Sequence, residues 1–192
     1  KVAPIQVIVV PVAQQKEGVV EKATELTNNL SKEFRTELDA RDNYTPGYKF
    51  NYWEMKGVPV RLEIGPRDIE NNQCVLVRRD TLEKETVSLE NVNKRIAELL
   101  EEIQKNMFKM AEENIEKKTT VAKTLEEFEK NINENQGYVK TMWCGSSECE
   151  EKIHELTGAK SRCIPFNQEH ISDTCVCCGK PASKMVVWGR QY

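Results

Sequence analysis

The sequence predicts an α/β fold, in which a mixed sheet covered by helices is followed by a small α+β domain. Three observations lead to this prediction. Segments rich in β-branched residues alternate with helical segments in the first half of the chain. Apolar residues then keep a spacing of three or four positions from Val92 to Met110, which is typical of one long helix. Finally, two short cysteine pairs lie near the end, Cys144 with Cys149 and Cys175 with Cys178.

The first part of the chain contains the predicted mixed sheet. Residues 5–12 are rich in Val and Ile, which predicts a buried strand that ends at a proline turn. Residues 18–34 place their apolar side chains on one face of a helix. The break at Pro46-Gly47 allows a short helix over 48–56. Three further strands are predicted at 58–64, 73–79 and 86–88, the first of them half-buried because apolar and charged residues alternate.

The long helix predicted from residue 89 to about residue 118 has two interpretations. A coiled-coil dimer would bury its apolar stripe between chains, whereas packing within the chain is favoured because the stripe spans few repeats. Beyond it, residues 125–132 and 148–156 read as helices, and 138–143, 161–165 and 184–188 as strands. The predicted organisation is therefore a first domain at 1–88, a connecting helix at 89–118 and an α+β domain at 119–192.

The cysteine pairs are typical of a structural zinc site. The segments WCGSSEC and CVCCGKP can supply four thiolates to one tetrahedral ion. The tight turn expected in the second segment lets backbone N–H groups point at the two sulfurs, and Gly179 permits the positive φ that such a turn needs. Four thiolates leave no position for water, so this ion would be structural. Disulfides are the alternative, but they need an oxidising compartment and leave one of seven cysteines unpaired.

Composition limits the classes of function. Charged residues make up 31% of the chain and both signs are interleaved, as in folded proteins. The net charge of −3 gives no overall electrostatic case for a nucleic-acid partner, so any such case is local. The apolar run at 7–13 is too short to cross a bilayer, and no signal segment opens the chain. Because the sequence starts at Lys1 and not at an initiator Met, we expect it to be part of a longer protein.

Several segments together resemble a known family. PGYKFNYWEMKGVPVRLEIGPRDIE, RRDTLEKETV, WCGSSECEEKI, SRCIPF and the final GRQY are similar to the C-terminal part of prolyl-tRNA synthetases of the archaeal and eukaryotic-like type. The resemblance covers nearly the whole chain. It implies a class II anticodon-binding domain followed by a zinc-binding domain, with the catalytic domain located before Lys1. No ATP-binding motif of class II enzymes, phosphate loop or nucleophile elbow occurs in the sequence.

The resemblance also implies a set of anticodon-binding residues. Residues 48–84 alone are ambiguous, since seven basic and six acidic side chains fit a solvated mixed-charge surface. Proline codons begin with CC, so proline anticodons carry two consecutive guanines. A carboxylate suits the two N–H donors of guanine, and Lys or Arg suits its O6 and N7. The family's roles match five positions: Glu54, Arg61, Arg67, Asp68 and Lys84.

The remaining candidate residues have simpler interpretations. Cys177 is a bystander beside two better-spaced ligands. Cys163 and Cys74 are predicted to be core thiols of strands. His154 on a polar helix and His170 in a loop could replace a ligand, but the cysteine set is already complete.

The resemblance finally implies cofactors and partners. Zinc would be structural, while ATP and Mg²⁺ would bind in the absent catalytic domain. The expected partners are the anticodon stem-loop of proline tRNA and the catalytic domain, toward which the carboxylate of Tyr192 would fold. We expect a cytoplasmic parent enzyme that forms a homodimer and binds neither membranes nor DNA. The alternative is a free-standing RNA-binding or regulatory paralogue without catalysis.

Overall fold

The structure is a computed structural model that describes residues 2–191. It forms two compact units, Lys1–Lys109 and Met110–Tyr192, which divide within one long helix. The expected role of the Tyr192 carboxylate lies outside the described residues. Within residues 2–191, no helix combines the length and the apolar character that crossing a membrane requires.

The first unit is an α/β layer of five strands and the helices that cover them. Thr45 caps the second helix by accepting a hydrogen bond from the Tyr48 N–H, and Pro46 occupies the first helical turn. In chain order the elements are β1 (Val7–Pro11), α1 (Val19–Leu30), β2 (Thr36–Leu38), α2 (Pro46–Met55), β3 (Val60–Ile64), α3 (Pro66–Glu70), β4 (Gln73–Arg78), β5 (Lys84–Ser88) and α4 (Val92–Lys118).

The five strands form one mixed sheet in the order β2-β1-β3-β4-β5. β1 runs parallel to β2 and to β3, with Val7 opposite both Thr36 and Val60. β3 and β4, and then β4 and β5, pair antiparallel, which places Arg61 opposite Val77 and Val77 opposite Lys84. The predicted mixed sheet covered by helices is therefore confirmed.

The two faces of this sheet bury different sets of side chains. One face carries the larger core, in which Val9 and Leu62 pack with Leu26 of α1 and Leu99 of α4. The other face packs Ile8, Val10 and Val58 against Phe50 and Trp53 of α2. Because α2 covers this second face, every residue of β3 is buried. The prediction of a half-buried strand at 58–64 is wrong for this reason.

The long helix α4 contributes its first half to the core of the first unit. Val92, Ile96, Leu99 and Ile103 are all buried there. Met107 and Met110, further along the same stripe, are 52% and 57% exposed. The apolar stripe thus packs within the chain at its beginning. The first-domain boundary at residue 88, with a separate connecting helix over 89–118, stays a prediction.

The second unit is a four-stranded α+β layer. Its strands lie in the order β6-β7-β9-β8; β6 is parallel to β7 and the other pairs are antiparallel. A Cβ added at Gly137 would lie 2.0 Å from the carbonyl oxygen of Lys118, so only glycine fits before β7. The elements after α4 are β6 (Thr119–Val121), α5 (Leu125–Glu134), β7 (Tyr138–Trp143), α6 (Ser147–Thr157), β8 (Ala159–Cys163) and β9 (Lys184–Arg190).

The core of the second unit forms around Trp188. Its ring meets those of Phe128 and Trp143 edge to face, with centroids 6.0 and 6.3 Å apart. Ile153 of α6 is fully buried in the same cluster. Cys163 is exposed at the end of β8, so its prediction as a core thiol is wrong, whereas Cys74 in the first unit is buried as predicted.

Candidate functional site

Three of the five predicted anticodon-binding residues lie together on the α2 side of the sheet. Arg61 donates from Nη1 to Glu54 Oε1 at 2.5 Å, which joins β3 to α2. Lys84 of β5 reaches the same region because it lies in register with Val77, which in turn lies opposite Arg61. Lys84 remains 54% exposed, whereas the Arg61 side chain is only 9% exposed.

Glu63 connects these residues, and the sequence did not single it out. Its Oε1 accepts from Arg61 Nε at 3.0 Å and from Lys84 Nζ at 3.2 Å. Phe50 of α2 lies beneath both cations, with its ring centroid 4.1 Å from the Arg61 Cζ and 5.7 Å from the Lys84 Nζ. We call Phe50, Glu54, Arg61, Glu63 and Lys84 the Arg61 cluster.

The chemistry of the Arg61 cluster suits a partner with adjacent donors and acceptors. Two carboxylates and two cations alternate along a series of ion pairs, and both cations lie over one aromatic ring, so both charge signs occur within a few ångströms. Arg61 is held on two sides by carboxylates, which fixes its guanidinium. The Lys84 side chain is 54% exposed, so a ligand can reach it from solvent.

Arg67 and Asp68 lie elsewhere, at the start of α3. Asp68 Oδ2 accepts a hydrogen bond from the Gly65 N–H at 2.9 Å, so this carboxylate caps the short helix that follows β3. Arg67 is exposed. The described residues show no bond from either side chain to the Arg61 cluster. The structure therefore brings together Glu54, Arg61 and Lys84, and places Arg67 and Asp68 separately at the end of β3.

The four predicted metal ligands lie together in the second unit. The Sγ atoms of Cys144, Cys149, Cys175 and Cys178 are all within 4.8 Å of one another. Sγ of Cys144 lies 3.7 Å from that of Cys149 and 3.8 Å from that of Cys178. Zinc–sulfur bonds of about 2.3 Å in a tetrahedron give sulfur–sulfur edges of about 3.8 Å. A disulfide needs about 2.05 Å, so these distances fit a metal cage.

The environment of the four thiols also fits a metal cage. A hydrogen bond from the Lys180 N–H lowers the pKa of Cys178 to about 7, which favours the thiolate that metals bind. Burial raises the pKa of Cys149, which disfavours an unliganded thiolate there. Gly179 adopts φ +70°, as its predicted turn requires. Cys177 packs against the core cluster around Trp188.

The two histidines do not belong to the group of four thiols. His170 pairs with Asp173 at 3.2 Å in an exposed loop. His154 lies in the last turn of α6. Among residues 2–191, neither belongs to a group that could hold a metal ion.

Comparisons with known proteins match both units. Residues 6–99 match a family described as "Anticodon binding domain", and residues 125–192 match "Prolyl-tRNA synthetase, C-terminal". The full chain is 54% identical to proline–tRNA ligase 2 of Bacillus thuringiensis (strain Al Hakam) over 192 residues. It is 53% identical to the proline–tRNA ligase of Ruminiclostridium cellulolyticum over 191 residues and to that of Clostridium botulinum (strain Okra / Type B1) over 192 residues.

These relatives are longer than the chain. It is covered completely in each alignment but spans only 40% of each relative's length. The two family matches follow each other in the order that the resemblance implied. The chain therefore belongs to the prolyl-tRNA synthetase family and comprises an anticodon-binding domain followed by the C-terminal domain of that family.

Proposed function

We propose that the chain recognises the anticodon of proline tRNA, within a parent enzyme that activates proline with ATP and joins it to that tRNA. One observation carries the proposal. The Arg61 cluster presents carboxylates and cations side by side in a domain of the anticodon-binding family. The names of the relatives support proline as the amino acid.

Guanine has the chemistry that this cluster complements. Its Watson–Crick edge presents two neighbouring N–H donors that a carboxylate accepts, and its O6 and N7 accept from Lys or Arg. The side chains of Glu54 and Lys84 are 31% and 54% exposed, so these two offer an acceptor and a donor at the surface. Arg61 and Glu63, more deeply buried, hold the pair in place. Asp68 and Arg67 are the proposed contacts for a second base.

We also propose that zinc occupies the cysteine cage. Cys144, Cys149, Cys175 and Cys178 would hold it, and a closed set of four thiolates gives the ion a structural role. The ion would stabilise a unit whose own core is small. ATP and Mg²⁺ would bind in the part of the parent protein that precedes this chain. A cytoplasmic homodimer is the proposed state of the parent.

The experiment is a binding titration of the chain with the proline anticodon stem-loop. Matched stem-loops carry adenine at one or both guanine positions. Leaving buried polar groups unpaired costs roughly 1 to 3 kcal/mol, so each replacement should weaken binding about ten- to a hundredfold. A scrambled stem-loop of the same length controls for phosphate binding. Equal affinity for all of these RNAs would show that the chain does not read the anticodon.

A further inference from the structure

Three tyrosines form a row along the outer side of α2 and the loop before it. Tyr48 and Tyr52 are four residues apart on α2, which places their rings on one face of the helix, and Tyr44 lies just before the N-cap residue Thr45. The rings of Tyr44 and Tyr48 are 4.3 Å apart and nearly parallel, at 11°. Those of Tyr48 and Tyr52 are 6.4 Å apart at 18°. We call these residues the tyrosine row.

Two cations accompany the tyrosine row. The Arg41 guanidinium carbon lies 4.8 Å from the ring centroids of both Tyr44 and Tyr52. Lys56 Nζ lies 5.5 Å from the Tyr52 ring. Planar aromatic faces with interleaved cations are the combination that binds unpaired nucleotides, because bases stack on the rings and phosphates meet the cations.

Arg41 is held in place by a buried carboxylate. Asp39, whose side chain is 1% exposed, accepts from Arg41 Nε at 2.8 Å and from Nη2 at 2.7 Å. Trp53 Nε1 donates to the same carboxylate at 2.7 Å. Burial alone would raise the pKa of Asp39, but these hydrogen bonds outweigh it and lower the pKa, so the carboxylate stays charged. The cation is therefore positioned before any ligand arrives.

The core does not account for the tyrosine row. The apolar cluster on this side of the sheet consists of Ile8, Val10 and Val58 with Ile5, Phe50 and Trp53, and the tyrosines are not members of it. Tyr44 is 37% exposed and Tyr48 is 48% exposed. Although Tyr44 and Tyr48 cover part of each other's rings by stacking, both therefore keep surface open to solvent, away from the face of α2 that packs on the sheet.

We infer that the tyrosine row is a stacking surface for unpaired nucleotides of the RNA that binds this unit. The inference rests on the proposed function and adds a second contact region to it. Tyr52 and Glu54 are two positions apart on α2, which places them about 200° apart around the helix. An RNA loop bound at the Arg61 cluster must cross α2 to reach the row. The row therefore contacts loop nucleotides that lie on one side of the two guanines in the RNA sequence.

Stacking predicts a different response from guanine recognition. Every base has an aromatic face, so a stacking contact contributes affinity with little dependence on sequence. Tyr48→Ala should weaken binding of the proline anticodon stem-loop and of its adenine-replaced forms by the same factor, about ten- to a hundredfold. Tyr48→Phe keeps the ring and should stay within about twofold of the unchanged chain.

The test combines binding titrations with a fluorescent base. 2-Aminopurine replaces each unpaired loop nucleotide in turn, except the two guanines. Binding should quench the probe on one flank of the guanines, and this quenching should vanish with Tyr48→Ala but persist with Tyr48→Phe. Met55→Ala is the matched control, since Met55 is 88% exposed on the same helix and has no ring. If Tyr48→Ala fails to fold by circular dichroism, Tyr48→Leu replaces it.

Each outcome separates this inference from the proposed function. Unchanged affinity and quenching in Tyr48→Ala or Tyr48→Leu would overturn the stacking surface, even if the guanines are still discriminated. The stacking surface would also be overturned if Tyr48→Ala changed only the preference for guanine. If the unchanged chain does not discriminate guanine but still loses affinity and quenching with Tyr48→Ala, the proposed function fails and the stacking surface stands.

Discussion

Glu63 lies 3.0 Å from Arg61 on the same face of β3, and the pair is buried beneath α2. Residues two apart on a strand point the same way, so the Arg-x-Glu pattern places both charges under the helix. Glu63 also accepts from Lys84 of the edge strand β5. This one carboxylate therefore positions both cations of the Arg61 cluster.

Replacing Glu63 should damage folding and RNA recognition together. Glu63→Ala leaves the buried Arg61 without one of its two carboxylates, which costs about 3 to 5 kcal/mol in comparable buried pairs. Glu63→Gln keeps an acceptor oxygen and should cost about 1 to 3 kcal/mol. Urea unfolding measures the stability, and stem-loop titration measures the guanine preference. Thr86→Ala, on β5 and exposed, is the control. Wild-type stability of Glu63→Ala would contradict the role of Glu63.

Asp68 has a structural bond that its test must separate from base recognition. Its carboxylate caps Gly65 at the start of α3. Asp68→Asn keeps an oxygen that accepts this bond but loses the charge, so thermal stability should change little. If Asp68 reads guanine, this variant should lose about ten- to a hundredfold in affinity for the proline stem-loop. Asp68→Ala should lose stability as well, by about 1 kcal/mol. Unaltered discrimination by Asp68→Asn would leave Asp68 with the capping role alone.

The sequence predicts strands better than it predicts what covers them. Alternation in β3 predicts charged residues facing solvent, yet Arg61 and Glu63 are 8% and 9% exposed because α2 packs over them. That packing joins distant segments, and no local pattern contains it. β2 has three residues and α3 has five, too few for a periodic pattern to identify either element.

The candidate sites also differ in how far the sequence alone predicts them. The cysteine ligands are predictable because their spacing along the chain encodes the turn that brings two sulfurs together. Glu63 is not, since its importance depends on Lys84 lying two strands away. The tyrosine row has a local signal, the four-residue repeat of Tyr44, Tyr48 and Tyr52. Its link to Arg41 requires the buried Asp39, which only the fold identifies.

The metal assignment is tested with adjacent cysteines. Cys178→Ser removes a sulfur from the cage and should lower the bound zinc from about one ion per chain to nearly none. It should also destabilise the second unit, because metal binding contributes folding free energy on the order of 10 kcal/mol in small zinc units. Cys177→Ser should retain the metal. Elemental analysis and thermal unfolding of both variants give the result. Equal loss of zinc in the two would mean that the ligand set is wrong.

Asp80 should contribute a pH-dependent stabilisation of the first unit. Its side chain is 3% exposed, and hydrogen bonds from Arg78 and Asn106 lower its pKa below the usual 3.8. A lowered pKa in the folded state gives stability that is present above 3.8 and disappears as the pH falls through the folded value. Asp80→Asn should cost about 1 to 3 kcal/mol at pH 7.

The pH series for Asp80 compares urea unfolding of the two chains. The stability difference between wild type and Asp80→Asn should shrink as the pH drops below 3.8. Asp39, another carboxylate with a lowered pKa, bonds to Arg41 and Trp53 and not to Asp80, so its contribution is the same in both chains and cancels in the difference. A difference that stays constant down to low pH would mean that Asp80 is not charged in the folded protein.

The boundary of the first domain is tested by truncation. Val92, Ile96, Leu99 and Ile103 of α4 are buried in the core of the first unit. Burying one such side chain fully contributes about 1.5 to 3 kcal/mol. The sum over the four is similar to the whole unfolding free energy of an ordinary domain. A chain ending at residue 88 should therefore fail to fold, while one ending at residue 109 should fold cooperatively. Circular dichroism and urea unfolding compare the two. In the chain that ends at residue 109, Leu99→Ala should lower the unfolding free energy by about 2 to 5 kcal/mol. This variant checks that the buried side chains of α4 supply the stability. Cooperative unfolding of the shorter chain would show instead that the domain is complete at residue 88 and that α4 only connects.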